Sequence, residues 1–256
     1  MPIVLKNQYQ IERMRAAGRL VAETLEMLKE QVAPGITTLE LDRLAEEYIR
    51  ARGALPSYKG YRGSDGSGPA FPGTICSSVN EVICHGIPEK RRLNAGDIIG
   101  IDVGAVLNGW CGDICATVAV GAVDAPTQKL LDVTLESLER GIAASGPGTR
   151  LGDIGAAIQT LAEANGFSVV RELTGHGLGR KPHEEPHVPH FGKAGTGLVV
   201  QPGMVFTIEP MINAGKPAAR VLRDGWTVVT ADGRRSAQFE HTIAITKSGV
   251  EILSAL

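Results

Sequence analysis

Two short stretches decide the architecture: Gly96-Asp-Ile-Ile-Gly-Ile-Asp102 and Gly203-Met-Val-Phe-Thr-Ile-Glu209. Each leaves a glycine turn, runs through residues rich in the branched and aromatic side chains that suit strands, and ends on an acid. A carboxylate among Ile, Val and Phe is costly to bury unless it is paired or coordinated. A second acid follows on a later strand-like run in each half, Asp113 in Gly-Trp-Cys-Gly-Asp and Glu240 in Gln-Phe-Glu-His-Thr. The repetition predicts one catalytic unit over 1–256 built from two related halves, about 1–122 and 123–256, each donating two carboxylates to a shared cleft.

The flanking sequence supports such a duplication. Ile11, Met14, Ala17, Val21, Leu25 and Leu28 recur at helical spacing until Pro34-Gly35 breaks the pattern. Thr37 with Glu40 offers a capping box for a second helix ending near Arg52. A Gly-, Ser- and Pro-rich loop over 57–73 precedes strand-like runs at 73–78, 97–104 and 114–120. Pro126 then opens a third helix to about Ala144, and a fourth runs from Leu151 to Asn165 before Gly166. Strand-like runs return at 204–212, 226–230, 237–245 and 250–253. The order is helices then strands, twice, and the fold class it predicts is α/β (α+β).

Composition narrows the function. The chain has 256 residues, 43% hydrophobic and 21% charged, with a net charge of -2. That length can bury a large core, and near-neutrality argues against a nucleic-acid substrate or an anionic membrane partner. No apolar run approaches the roughly 18 residues of a membrane span, and the start lacks the pattern of a secretory signal. A cytoplasmic protein is expected. Cys76, Cys84, Cys111 and Cys115 lack paired CxxC spacing and are read as reduced thiols, the first two flanking the approach to His85.

The candidate chemistry centres on the acids and three histidines. Asp102 and Glu209 lie inside apolar runs, where a ligand role outweighs a structural one. Asp97, after Gly96, reads as a turn residue, and Asp113 after Gly112 is evenly balanced on its own. Glu240 and His241 are adjacent, so either could be the ligand. His176 sits between two glycines that let backbone crowd a site. His183, His187 and His190 share a segment in which Pro182, Pro186 and Pro189 forbid a helix, which leaves a weak zinc signal and a stronger reading as a loop displaying one functional histidine. His85 is balanced between a structural and a functional role. Four carboxylates and an imidazole suit Mn, Fe(II), Co or Zn, and so many anions favour two divalent ions and a hydrolase.

Longer segments are specific enough to suggest a family. Ser78-Val-Asn-Glu-Val-Ile-Cys-His-Gly-Ile-Pro88, Gly175-His-Gly-Leu-Gly-Arg180, His183-Glu-Glu-Pro186, Thr207-Ile-Glu-Pro-Met211 and Ser236-Ala-Gln-Phe-Glu-His-Thr242 resemble, in order along nearly the whole chain, type I methionine aminopeptidase in its minimal bacterial form without an N-terminal extension. The resemblance implies the pita-bread fold, a curved antiparallel sheet flanked by helices in two pseudo-symmetric halves. It implies Asp102, Asp113, His176, Glu209 and Glu240 as ligands of two divalent ions, with Asp113 and Glu240 bridging. It further implies Glu209 as general base, His183 as oxyanion donor and His85 as the partner of the reacting amide nitrogen. Tyr61, Phe71, Cys76 and Trp226 match positions of the methionine pocket, and Asn80, Val82 and Ser236 match a sodium or potassium site. The implied activity is removal of the initiator methionine from peptides and nascent chains with a small second residue, by a monomer that meets the ribosome transiently. The sequence departs from the family pattern in the 62–68 loop, in Pro182 before the catalytic histidine, and in Gly100.

Overall fold

A computed structural model describes residues 2–63 and 66–256; Ser64 and Asp65 of the inserted loop lie outside the described residues. The helices are α1 (Gln8–Gln31), α2 (Thr38–Ala51), α3 (Ala125–Ala143) and α4 (Leu151–Ala164). Asn7 with Gln10, and Thr37 with Glu40, form capping boxes that fix where the first two begin. Asp124 caps α3 ahead of Pro126, so the third start is also written in local sequence.

The strands before α3 are β1 (Leu55–Pro56), β2 (Ile75–Val79), β3 (Val82–Cys84), β4 (Ile98–Leu107) and β5 (Trp110–Ala119). Those after α4 are β6 (Ser168–Val169), β7 (Gly175–Gly177), β8 (Glu184–Val188), β9 (Val205–Ile208), β10 (Met211–Asn213), β11 (Ala219–Val221), β12 (Val228–Thr230), β13 (Ser236–Gln238), β14 (Glu240–Thr246) and β15 (Gly249–Ile252). The main sheet has the order β1-β4-β5-β14-β9-β7-β8, with β2 on β4 and β15 on β14. Two small sheets, β13-β10-β6 and β11-β12-β3, lie beside it, and the pairings are antiparallel. The fold is the expected mixed α/β one.

Two apolar cores hold helices to strands. Leu20, Val21, Leu25 and Leu28 of α1 and Leu41, Ala45 and Ile49 of α2 pack with Ile75, Ile99, Ile101 and Val103. Leu130, Leu138, Ile154 and Ile158 of α3 and α4 pack with Phe206, Ile208, Ile243 and Ile245. Close packing tolerates no bulk at Gly112, where a Cβ would overlap the α1 backbone at Ala17.

The run 204–212, expected as one strand, is two. β9 belongs to the main sheet and β10 to a small one, and the chain changes sheets at Glu209-Pro210. Pro210 has no N–H to offer a ladder, which explains the break. The run 237–245 divides in step, β13 pairing β10 and β14 pairing β9. Glu209 and Glu240 therefore stand side by side where two neighbouring strands cross from one sheet to the other.

Candidate active site

Register brings the first two acids together. In the β4–β5 ladder Asp102 faces Cys115 and Gly104 faces Asp113, and Cys115 also pairs with Glu240 on β14. Asp113 thus lies within a strand rather than in a turn, because the Asn108-Gly109 turn starts β5 at Trp110. The side chains of Asp113, His176 and Glu240 present ligand atoms that all lie within 4.8 Å of one another. His176 Nε2 is 3.4 Å from Glu209 Oε1 and 3.9 Å from Asp113 Oδ2. Asp102 and Asp113 are joined by Tyr58, whose hydroxyl lies against both, at 2.6 Å from Asp102 Oδ1. The four carboxylates and His176 line one cavity of about 450 Å³.

Burial governs the electrostatics. Desolvation raises Asp102 to about 6 and Glu209 to about 8, with the Asp102 charge adding to the latter. Asp113 and Glu240 are pushed well above the usual carboxylate range, first by burial and then by neighbouring charges, Asp102 and Glu209 for Asp113, and Asp113, Glu209 and Asp102 for Glu240. Burial lowers His176 to about 4 and His183 to about 3, so both rings are neutral near pH 7.

This donor set fits divalent ions. Glu240 Oε1 is buried without a hydrogen-bond partner. His176 Nδ1 lies 3.1 Å from the Gly177 carbonyl, which assigns the proton to Nδ1 and leaves the Nε2 lone pair facing the acids. Four crowded carboxylates are stabilised in their charged form by dications and by little else in an apolar interior. The adjacent His241 points elsewhere, its Nδ1 3.0 Å from Ser254 Oγ, so Glu240 is the residue of that pair that faces the cavity.

Each arm of Glu209 is held. Thr207 Oγ1 donates to Oε1 at 2.7 Å, Gln238 Nε2 donates to Oε2 at 3.1 Å, and the Glu209 N–H donates to His190 Nε2 at 3.1 Å. His190 is fully buried and stands behind Glu209 instead of forming a zinc group with His183 and His187. Tyr58, Thr207 and Gln238 were not identified from sequence, and His190 was read there only as part of a weak zinc signal. Only alternation could have flagged Thr207 and Gln238, as polar residues two before Glu209 and Glu240.

The expected pocket residues line the same cavity. Trp226 meets Phe71 edge-on at 5.4 Å, Tyr61 at 6.2 Å and His85 at 6.2 Å. Its indole N–H donates to the Pro69 carbonyl at 3.0 Å, so Pro69 braces this wall. Cys76 and Cys84 line the same cavity as buried free thiols. His85 holds a left-handed backbone at φ 55, and Gly86 follows because a Cβ there would overlap the Ser77 carbonyl. His183 stacks on Tyr61 at 5.1 Å and tilts against His176 at 4.2 Å. The Pro-rich segment after it is strand β8, not a loop. Asn80, with φ 56, accepts the Ser236 N–H at 2.9 Å, and Val82 pairs with Val229, so those three residues sit at the β3–β12–β13 junction.

The sequence pattern of metallopeptidase family M24 matches residues 12–247. Methionine aminopeptidase A of Synechocystis is 53% identical over 253 residues, covering 98% of this chain and 97% of that protein. Methionine aminopeptidase 1 of Bacillus subtilis is 51% identical over 252 residues, covering 98% and 99%. The crystal structure of the Rickettsia prowazekii methionine aminopeptidase superposes with a TM-score of 0.95 at 45% identity, over 99% of this chain and all of that one. Prolidase from Pyrococcus furiosus, at 21% identity and a TM-score of 0.79, shares the fold. The chain belongs to metallopeptidase family M24, among its methionine aminopeptidases.

Proposed function

We propose that this chain releases the N-terminal methionine from peptides and nascent proteins whose second residue is small, by attack of an activated water on the first peptide bond. The observation that carries the reading is the convergence of Asp102, Asp113, Glu209, Glu240 and His176 on a cavity that Phe71, Tyr61 and Trp226 also line. Asp102, Asp113, His176, Glu209 and Glu240 would hold two divalent ions of the Mn, Fe(II), Co or Zn class. Bound there, such ions supply Lewis acidity and lower the pKa of a coordinated water.

The chain's own groups do the rest. Glu209, fixed by Thr207 and Gln238, takes a proton from the attacking water. His183 enters neutral and offers an N–H to the carbonyl oxygen as charge develops there. His85, also neutral and braced by Trp226, faces the departing amide nitrogen. The aromatic wall with Cys76 receives the thioether side chain, since sulfur against ring edges is favourable. The junction of Asn80, Val82 and Ser236 would take a sodium or potassium ion. The reading extends to a monomer acting in the cytoplasm and meeting nascent chains at the ribosome. No described helix is long and apolar enough to cross a membrane.

The test is methionine release from Met-Ala-Ser compared with Met-Leu-Ser and with Ala-Pro by the Mn-loaded protein. Preference for Met-Ala-Ser is expected. Equal rates on Met-Leu-Ser would sink the small-second-residue claim, and faster cleavage of Ala-Pro would replace the reading with a prolidase one.

A further inference from the structure

Lys6 and Glu184 are 178 positions apart and pair at 2.7 Å, with side chains only 2% and 14% exposed. A lysine this buried is rare without a committed partner. Its backbone is anchored too: the Lys6 N–H donates to the Gly203 carbonyl at 2.7 Å, at the turn that leads into β9 and Glu209. The second Glu184 oxygen accepts from the N–H groups of Arg180 and Lys181, at 3.0 and 3.2 Å, and so closes the turn 180–184 on itself. The packing leaves no slack, since a Cβ on Gly179 would lie 2.8 Å from both Glu184 Oε1 and Lys6 Cε.

His183 stands on that turn, immediately before Glu184. Its Nδ1 is buried without a hydrogen-bond partner, and its ring lies between Tyr61 and His176. Ring stacking fixes a plane but lets the ring slide within it. The location of the imidazole along that plane is therefore set by the backbone turn. We propose that Lys6 is a positioning residue for catalysis: its ammonium clamps Glu184, and through that clamp the N-terminal segment aims His183 into the active-site cavity. The proposal rests on the reading of His183 as the oxyanion donor. It gives residues before α1 a share in transition-state binding although none of them reaches the substrate.

The experiment compares Lys6→Met, Glu184→Gln and the double variant, all Mn-loaded and checked for folding by circular dichroism. The probes are Met-Ala-Ser turnover, a phosphonate analogue of the tetrahedral state, and free methionine. For Lys6→Met, kcat is expected to fall about tenfold with KM within about twofold, and phosphonate binding to weaken about tenfold while methionine binding holds. Glu184→Gln keeps its backbone acceptor and is expected to lose about threefold in kcat; it carries the test if Lys6→Met fails to fold. The double variant should be no worse than Lys6→Met. A kcat at wild-type level in folded variants, equal weakening of phosphonate and methionine, or additive losses would each overturn the proposal. His183→Ala, run alongside, separates the two levels. If it binds phosphonate as wild type does, the oxyanion reading falls and the Lys6–Glu184 clamp with it; if it loses binding while Lys6→Met does not, the clamp alone falls.

Discussion

The Tyr58 hydroxyl donates to Asp102 across 2.6 Å from a residue 44 positions upstream, and the same oxygen lies against Asp113. A hydroxyl has one proton to give, and burial keeps this phenol protonated, so Tyr58 holds the two acids to a common edge of the cavity. Tyr58→Phe is expected to leave the fold intact and to weaken Mn binding about tenfold, the scale usual for a group that orients a ligand. Isothermal titration checks this; an unchanged Kd would contradict it.

Gly104 makes room for that tyrosine. A Cβ at 104 would overlap Ser57 Oγ and stand 2.7 Å from the Tyr58 ring. Gly104→Ala should cost about 1–3 kcal/mol of stability by overpacking and reproduce the Mn-binding loss of Tyr58→Phe. Thermal denaturation and titration of the same sample test both halves, and a variant with normal stability and affinity would show that Tyr58 has another place to go.

The raised acids give metal-free protein an inverted pH dependence. Glu209 at about 8 and the strongly raised Asp113 and Glu240 hold protons when folded that they release when unfolded, so their contribution is lost as pH rises toward the folded values. The lowered His176 and His183 act oppositely, but only below their unfolded value near 6.5. Between pH 6.5 and 8 the carboxylates stand alone, and melting temperature in EDTA is expected to fall with rising pH. Saturating Mn should flatten or reverse the slope. A melting temperature in EDTA that climbs across that window would count against the assignment.

Trp226 touches Tyr61, Phe71 and His85 at once. Trp226→Ala should lower kcat/KM for Met-Ala-Ser about 100-fold, mainly through KM, and relax the preference for methionine in the first position. A peptide series varying the first residue measures this. Undiminished preference for methionine would move the side-chain pocket elsewhere in the cavity.

The helices were readable because their signals are local. Asn7 with Gln10, Thr37 with Glu40, and Asp124 before Pro126 mark starts within four residues of sequence, and the apolar spacing of α1 needs no partner to be seen. The long strand β4 was readable for a similar reason, as a branched apolar run interrupted only by Asp102 and glycines. Strands β7 and β8 were not, since Gly-His-Gly and a Pro-rich segment become strand only by pairing with β9 and each other. Long-range pairing also hid the sheet change at Glu209-Pro210, which sets the second pair of acids side by side.

The site divided along the same line. Asp102 and Glu209 announced themselves as acids among apolar neighbours. Tyr58, His190, Thr207 and Gln238 did not, because a buried hydrogen bond leaves no mark on the local pattern. Lys6 is the extreme case: nothing near it in sequence suggests a partner 178 positions away.

The most direct test of the account is a Mn titration of metal-stripped protein while methionine release from Met-Ala-Ser is followed. The account predicts no turnover before ion is added, and full activity only once ion is bound at the site of Asp102, Asp113, His176, Glu209 and Glu240. Full methionine release by the metal-stripped protein would contradict it.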